Sequence, residues 1–284
     1  IENILKILFL GDIVGREARK TVLSGLPKLK KKYEADIIII NIENAAGGRG
    51  VTPKIAEQFF DAGVDILTTG NHVWDQREII KYIADSNSLL RPINMPEGTP
   101  GLGKTSLVLD DGRIILIINA MCNLFMPKND FVFRSIEESL LNLELGNDYN
   151  AIFIDLHGEA TSEKIAIANY FDGKVSAIVG THTHVPTSDA RILPNGTAFQ
   201  TDVGMCGNYD SVIGMEKSLA IDRFFSKKSH LTVAEGEITI CGVCVETDDY
   251  SGKSLSIEPI RIGGVLTPTW LNIVKIGDIY GWPF

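Results

Sequence analysis

Short apolar runs alternate with longer amphipathic stretches along most of the chain, and that rhythm predicts its elements. Residues 5–10 read as a strand, followed by a helix over about residues 18–26 with Val22 and Leu26 on one face. Pro27 is expected to kink or restart that helix before the basic run 28–32. Residues 36–41 have the continuous apolar character of a strand buried on both faces. Thr52-Pro53 announces a helix, with Thr52 as N-cap and Pro53 at the first helical position, ending near Gly63. Residues 65–69 form the next strand, and residues 74–84 a helix whose Ile79, Ile80 and Ile83 recur at helical spacing. This β-α-β-α order predicts a parallel sheet.

The middle of the chain changes character. Residues 106–109 and 113–118 flank Asp110-Asp111-Gly112, a strong hairpin signal. A polar and aromatic loop over residues 119–133 leads to a helix near residues 136–145, after which a strand at 151–155, a helix at about 161–170 and a strand at 175–179 restore the earlier rhythm. The last third reads mostly as strands, at residues 191–193, 198–201, 231–245 and 255–262, interrupted by one helix at about 215–225. Two mixed sheets packed face to face and flanked by helices are expected, an α/β class fold in one domain spanning residues 1–284.

Composition restricts the function without naming it. With 284 residues, 44% hydrophobic and 22% charged, the chain is long enough for one substantial core. A formal charge of −9 argues against general affinity for nucleic-acid backbones, while leaving room for a small phosphate ligand. Four cysteines without dense spacing do not form a disulfide scaffold. The apolar run at residues 4–10 is broken at once by Gly11-Asp12, so neither a signal peptide nor a membrane span is expected there, and a cytoplasmic protein fits best.

Candidate chemistry gathers just after the strands. Gly180-Thr181-His182-Thr183-His184 places two imidazoles at i, i+2 beyond an apolar strand, and imidazole is the commonest metal ligand. Asp12, Glu43-Asn44, Asn71-His72 and His157 follow other strands, where open α/β sheets collect ligands. Four of the five histidines fall in this set. Taken singly, Asp12 reads as a turn residue and Glu43-Asn44 as a capping pair; together with the histidines they read better as ligands. His230 has no such company and reads as a locally hydrogen-bonded group. The donors are all oxygen or nitrogen, a set that suits iron, manganese or zinc, and a carboxylate such as Glu43 can bridge two ions.

Five ordered motifs carry a resemblance. They are Gly11-Asp12-Ile13-Val14-Gly15, Asn41-Ile42-Glu43-Asn44-Ala45-Ala46, Gly70-Asn71-His72-Val73-Trp74-Asp75, His157-Gly158-Glu159-Ala160-Thr161-Ser162-Glu163-Lys164 and Gly180-Thr181-His182-Thr183-His184-Val185-Pro186-Thr187. With Thr201-Asp202-Val203-Gly204-Met205 at their end, they resemble the calcineurin-like metallophosphoesterases, and more narrowly the bacterial YmdB-like group. The resemblance implies a four-layer α/β/β/α sandwich and hydrolysis of phosphodiesters, with 2′,3′-cyclic nucleotides as the expected substrate class. It implies one metal on Asp12, Glu43, Asn44 and His184, and a second on Glu43, Asn71, His157 and His182. Iron or manganese is expected, with zinc as a third candidate. A bridging hydroxide would attack phosphorus in line, and His72, outside both shells, would protonate the leaving ribose oxygen. Asn71 would also anchor the His72 loop. Most of the superfamily has a histidine where this chain has Val14 and an aspartate where it has Glu43; the narrower group shares both departures. A phosphomonoesterase or broader phosphodiesterase using the same ions, and a nucleotide-sensing regulatory protein without turnover, are the competing readings. No stable nucleic-acid complex and no membrane partner are expected, and a homo-oligomer is left open.

Two further motifs are read as decoys. Gly98-Thr99-Pro100-Gly101-Leu102-Gly103-Lys104-Thr105 matches a phosphate-binding loop letter for letter, but three prolines precede it and a hairpin follows, where such a loop needs a strand before and a helix after. Cys241-Gly242-Val243-Cys244 lies in a predicted strand, where residues three apart face opposite sides, so core thiols are expected. The loop at residues 45–50 is either a flexible connector or an approach to the nucleotide, with Arg49 facing the phosphate. The loop at residues 121–133 either covers the site or is buried in a subunit contact.

Overall fold

The computed structural model describes residues 4–226, 228 and 230–269. In chain order its elements are β1 (Ile4–Leu10), α1 (Gly15–Tyr33), β2 (Ile37–Asn41), α2 (Pro53–Asp61), β3 (Ile66–Thr68), α3 (Ile79–Asp85), β4 (Lys104–Val108), β5 (Ile114–Met121), α4 (Val132–Ser139), β6 (Ala151–His157), α5 (Thr161–Tyr170), β7 (Ala177–Thr181), β8 (Arg191–Ile192), β9 (Ala198–Gln200), α6 (Lys217–Phe224), β10 (Ile240–Asp248) and β11 (Ser254–Ile262). Among the described residues the strands form a five-stranded sheet, β11-β10-β1-β2-β3, and a six-stranded sheet, β4-β5-β6-β7-β9-β8. Both are mixed: β1, β2 and β3 run parallel, as do β5, β6, β7 and β9, and the outer pairings are antiparallel.

Strand period explains the layering. Leu5, Ile7 and Phe9 of β1 and Ile37 and Ile39 of β2 point into the space between the sheets, where they meet Ile115, Ile117, Phe153 and Val179 of the second sheet. Phe9 and Phe153 meet across that space with ring centroids 5.3 Å apart and their planes tilted by 41°. The alternate residues Leu8, Leu10, Ile38 and Ile40 face outward onto α1, α2 and α3. On the other side Leu116, Ile118, Ile152 and Ile154 pack under α4 and α5. Period-two alternation with apolar residues on both faces gives the α/β/β/α order. Among the described residues no helix is long and apolar enough to cross a membrane.

Several elements differ from expectation for identifiable reasons. α1 runs unbroken through Pro27 to Tyr33. An interior proline costs about 3 kcal/mol, but Leu29 and Tyr33 extend the buried stripe of Val22 and Leu26, and each such side chain returns roughly 1.5–3 kcal/mol. α3 begins at Ile79 rather than near 74, because residues 71–78 are turns tied to the first sheet by the His72 N–H on Glu43 Oε2 (3.1 Å). α4 starts and stops earlier than expected: Asn123 Oδ1 accepts the Val132 N–H, and Asn142, at φ +60°, turns the chain away. Of residues 231–245 only the part from Ile240 is a strand; before it Val233 and Thr239 make isolated bridges. The hairpin about Gly112 forms as read. Lys104 of the phosphate-loop motif opens a strand, so no helix N-terminus follows it. The four cysteines are free and buried.

Replacing Pro27 by alanine tests the balance struck in α1. The proline is exposed, so Pro27→Ala restores a helix hydrogen bond and forfeits only the constraint proline places on the unfolded chain. Urea unfolding should show a gain of about 2 kcal/mol; a loss would mean that the helix is already bent to fit the proline.

Candidate metal centre

Every ligand and proton-donor candidate taken from the sequence lies at one end of the two sheets. Asp12 follows β1, Glu43 and Asn44 follow β2, Asn71 and His72 follow β3, His157 closes β6, and His182 and His184 follow β7. Asp12 and His157 are wholly buried, Glu43 and Asn44 nearly so, and His184 is buried too. The parallel strands therefore deliver donors from both sheets to a common edge.

The side chains converge closely. Ligand atoms of Glu43, His157 and His182 all lie within 4.8 Å of one another. His157 Nε2 is 3.1 Å from Glu43 Oε1, 3.0 Å from Asn71 Oδ1 and 3.0 Å from His182 Nδ1. The His184 ring stands 2.8 Å from Asn44 Nδ2 through Nε2, and 2.8 Å from the Ile213 carbonyl through Nδ1. Asp12 Oδ2 accepts the His182 backbone N–H at 3.2 Å. Val14 contributes no donor, being a buried apolar residue.

Among the described residues two oxygens of this cluster, Asp12 Oδ1 and Asn44 Oδ1, are buried with no hydrogen-bond partner, and Glu43 Oε1 has only the His157 ring beside it, 3.1 Å from Nε2. An unpartnered buried polar atom costs about 1–3 kcal/mol, more when charged. Gly70 shows the same convergence, because a Cβ there would run into His157 Nε2 and Glu43 Oε2. Hard oxygen acceptors and imidazole nitrogens facing one small space fit a first-row divalent cation.

The electrostatics agree. Burial alone would depress the His157 pKa, but the carboxylates of Glu43, Asp12 and Asp155 raise it to about 9. Burial and the charge on His157 push His182 down to about 3. Burial works to raise Glu43, but His157 beside it holds its carboxyl down at about 2. Burial raises Asp12 above its ordinary value. Acidic groups buried this closely demand positive charge among them.

Several contributing residues were not assigned roles from the sequence. Asp155, on β6, accepts from Thr181 Oγ1 (2.7 Å), Asn41 Nδ2 (2.9 Å) and Thr68 Oγ1. Thr181 Oγ1 also lies 3.0 Å from His157 Nδ1, so with its own proton on Asp155 it accepts from that ring and fixes the ring's direction. Asp75 Oδ2 stands 2.9 Å from His72 Nδ1, leaving Nε2 as the nitrogen available to a ligand. Glu159 approaches His182 Nε2 at 3.2 Å. Asp75 and Glu159 sit inside motifs already quoted, and their short offsets from His72 and His157 were the available signal.

A cavity of about 290 Å³ opens over the donors, and Arg49, Ile213, Met215 and Leu231 help to line it. Larger clefts lie between α2 and α3 and between α1 and α2, but they contain none of the donors, so chemistry rather than size identifies the site. No residue of the aromatic loop at 122–131 lines the cavity; Glu163 holds the loop's backbone at Asn123 and Leu124, and Leu124, Phe125 and Phe131 stay exposed.

Comparison with known proteins gives a consistent result. The model of the YmdB-like protein family matches residues 8–260. A 2′,3′-cyclic-nucleotide 2′-phosphodiesterase of Bacillus subtilis (strain 168) is 47% identical over 259 residues, covering 91% of this chain and 97% of that protein. A crystal structure of a phosphatase from Mycoplasma pneumoniae superposes with a TM-score of 0.87 at 34% identity, covering 96% of this chain and all of that one. A hypothetical protein from Thermus thermophilus superposes with a TM-score of 0.83 at 36% identity, covering 92% of this chain and 100% of the other.

Gly70→Ala tests the convergence of the donors. In chelator-treated protein, Mn²⁺ at about 100 times its dissociation constant should raise the melting temperature by roughly 5–10 °C. The alanine variant should show little of that rise. An equal rise in both proteins would mean that the space beside Gly70 is not where a cation binds.

Proposed function

The chain belongs to the YmdB-like family, and on that premise we propose that it is a phosphodiesterase acting on 2′,3′-cyclic nucleotides at a centre that holds two divalent cations. The observation that carries this reading is the convergence of buried acceptors: Asp12 Oδ1 and Asn44 Oδ1 accept no hydrogen bond, and Glu43 Oε1 has only His157 Nε2 beside it. One cation falls to Asp12, Glu43, Asn44 and His184, and the other to Glu43, Asn71, His157 and His182. The oxygen and nitrogen donors favour iron or manganese, with zinc as the alternative. Ions bound there supply an acidified water and positive charge for the phosphoryl oxygens.

The chain's own groups do the rest. His72 is the proton donor to the departing ribose oxygen: its Nδ1 is held by Asp75 at 2.9 Å, which leaves Nε2 for the substrate, and the residue lines the cavity. The His72 backbone is fixed on Glu43, which couples the position of the acid to that of the ligand. Arg49 is an additional cation for the phosphate, and Ile213, Met215 and Leu231 give an apolar surface for a base. A cavity of about 290 Å³ is at the small end for ligand sites, which suits a mononucleotide. A single domain carries all of these groups, since the apolar layer between the sheets is shared. Four buried, unbridged cysteines fit a reducing cytoplasm.

Steady-state turnover of 2′,3′-cyclic AMP against p-nitrophenyl phosphate tests the reading. The cyclic diester should be strongly preferred, and His72→Ala should lower kcat by about 10²–10⁴ with little change in KM. Asp75→Ala should lower kcat less. Preferential turnover of the monoester would replace the proposal with a phosphomonoesterase, and nucleotide binding without turnover would replace it with a regulatory role.

A further inference from the structure

The His182-Thr183-His184 segment runs through backbone conformations that side chains disfavour, yet it has to aim two imidazoles. His182 has φ +100° and His184 φ +65°. Both values lie in the region that favours glycine. Such geometry persists only where surrounding groups impose it.

A buried ion pair imposes it. Lys164 on α5 and Asp202 beyond β9 are both fully buried, with Nζ 2.9 Å from Asp202 Oδ2. The same Nζ donates to the Thr181 carbonyl at 2.7 Å. Asp202 Oδ2 accepts the Thr183 N–H at 3.0 Å, and Oδ1 accepts the Gly204 N–H at 2.9 Å. The lysine thus fixes the residue before His182, and the aspartate fixes the residue between the two histidines. Gly180 is required beside them, since a Cβ there would run into the Thr201 carbonyl and press on the Lys164 chain at 3.0 Å. Tyr209 Oη completes the hold by donating to the His184 carbonyl at 2.9 Å.

Stability alone gives no reason for this pair, because a buried ion pair is often matched or bettered by apolar residues of similar volume. Neither member lines the cavity. Their hydrogen bonds end on the backbone that aims the imidazoles, and that is the effect they can have on the site. We propose that Lys164 and Asp202 are positioning residues that set the directions of His182 and His184, and so set the affinity of the site for divalent cations. The proposal rests on the metal-centre reading given above.

Calorimetric titration of chelator-stripped protein with Mn²⁺ separates this role from a structural one. Lys164→Met and Asp202→Asn are compared with Phe171→Leu, a control in the core under the same helix that lowers stability without touching the segment. The two clamp variants should bind Mn²⁺ about 10–100-fold more weakly, while the control stays within about twofold however far its melting temperature falls. If Lys164→Met does not fold, Asp202→Asn, which keeps the side chain's shape, carries the test. Folded clamp variants with wild-type Mn²⁺ affinity would overturn the positioning role alone. A wild-type protein that takes up no Mn²⁺, iron or zinc would overturn the metal-centre reading and the positioning role with it.

Discussion

Buried oxygens without hydrogen-bond partners are the constraint on which this molecule depends. Asp12 Oδ1 and Asn44 Oδ1 are buried without a partner, leaving each unpaired costs about 1–3 kcal/mol, and Glu43 Oε1 has only the His157 ring beside it. A fold optimised for stability alone would give these atoms N–H partners or expose them. Here they are aimed at one another's surroundings, and the proton that His157 retains up to a pKa of about 9 reports how strongly the cluster favours positive charge. The sheets supply the rigidity for such an arrangement, because every donor leaves the end of a strand buried on both faces.

Coupling between the sheets matters as much as the donors. Asp155 accepts from Asn41 and Thr68 of the first sheet and from Thr181 of its own sheet. Through Thr181 it reaches the His157 ring. Lys164 also ends on Thr181, through the carbonyl, and on Asp202. Thr181 therefore joins two buried polar systems, one that sets the relation between the sheets and one that sets the path of the His182–His184 segment. A shift between the sheets would reach the ligand directions through that residue. This is the kind of outer support on which ligand geometry generally depends.

The sequence made the layers legible because two-faced strands such as 37–40 leave little choice of where helices must go. It made the donors legible because Asp12, Glu43, Asn71 and His182 are polar groups placed directly after apolar runs. It did not show that α1 continues past Pro27, since the compensating burial of Leu29 and Tyr33 is a tertiary fact. It also hid Lys164 and Asp155. A lysine in a Thr-Ser-Glu-Lys helix start reads as a solvated face, and an aspartate inside a strand reads as an edge; both are wholly buried. Local pattern cannot reveal a charge whose partner, like Asp202 for Lys164, lies on another element. His72 stands between these cases: its motif was visible and Asp75 lies only three residues on, but the sequence carries no signal that the Asp75 carboxylate holds the His72 ring.

The central claim is that the buried acceptors exist to hold cations that the chemistry needs. Elemental analysis of protein purified without chelator, read beside hydrolysis of 2′,3′-cyclic AMP before and after metal stripping, tests it most directly. The account predicts about two ions per chain, with activity lost on stripping and restored by manganese or iron. Full activity in protein shown to be free of metal would contradict it.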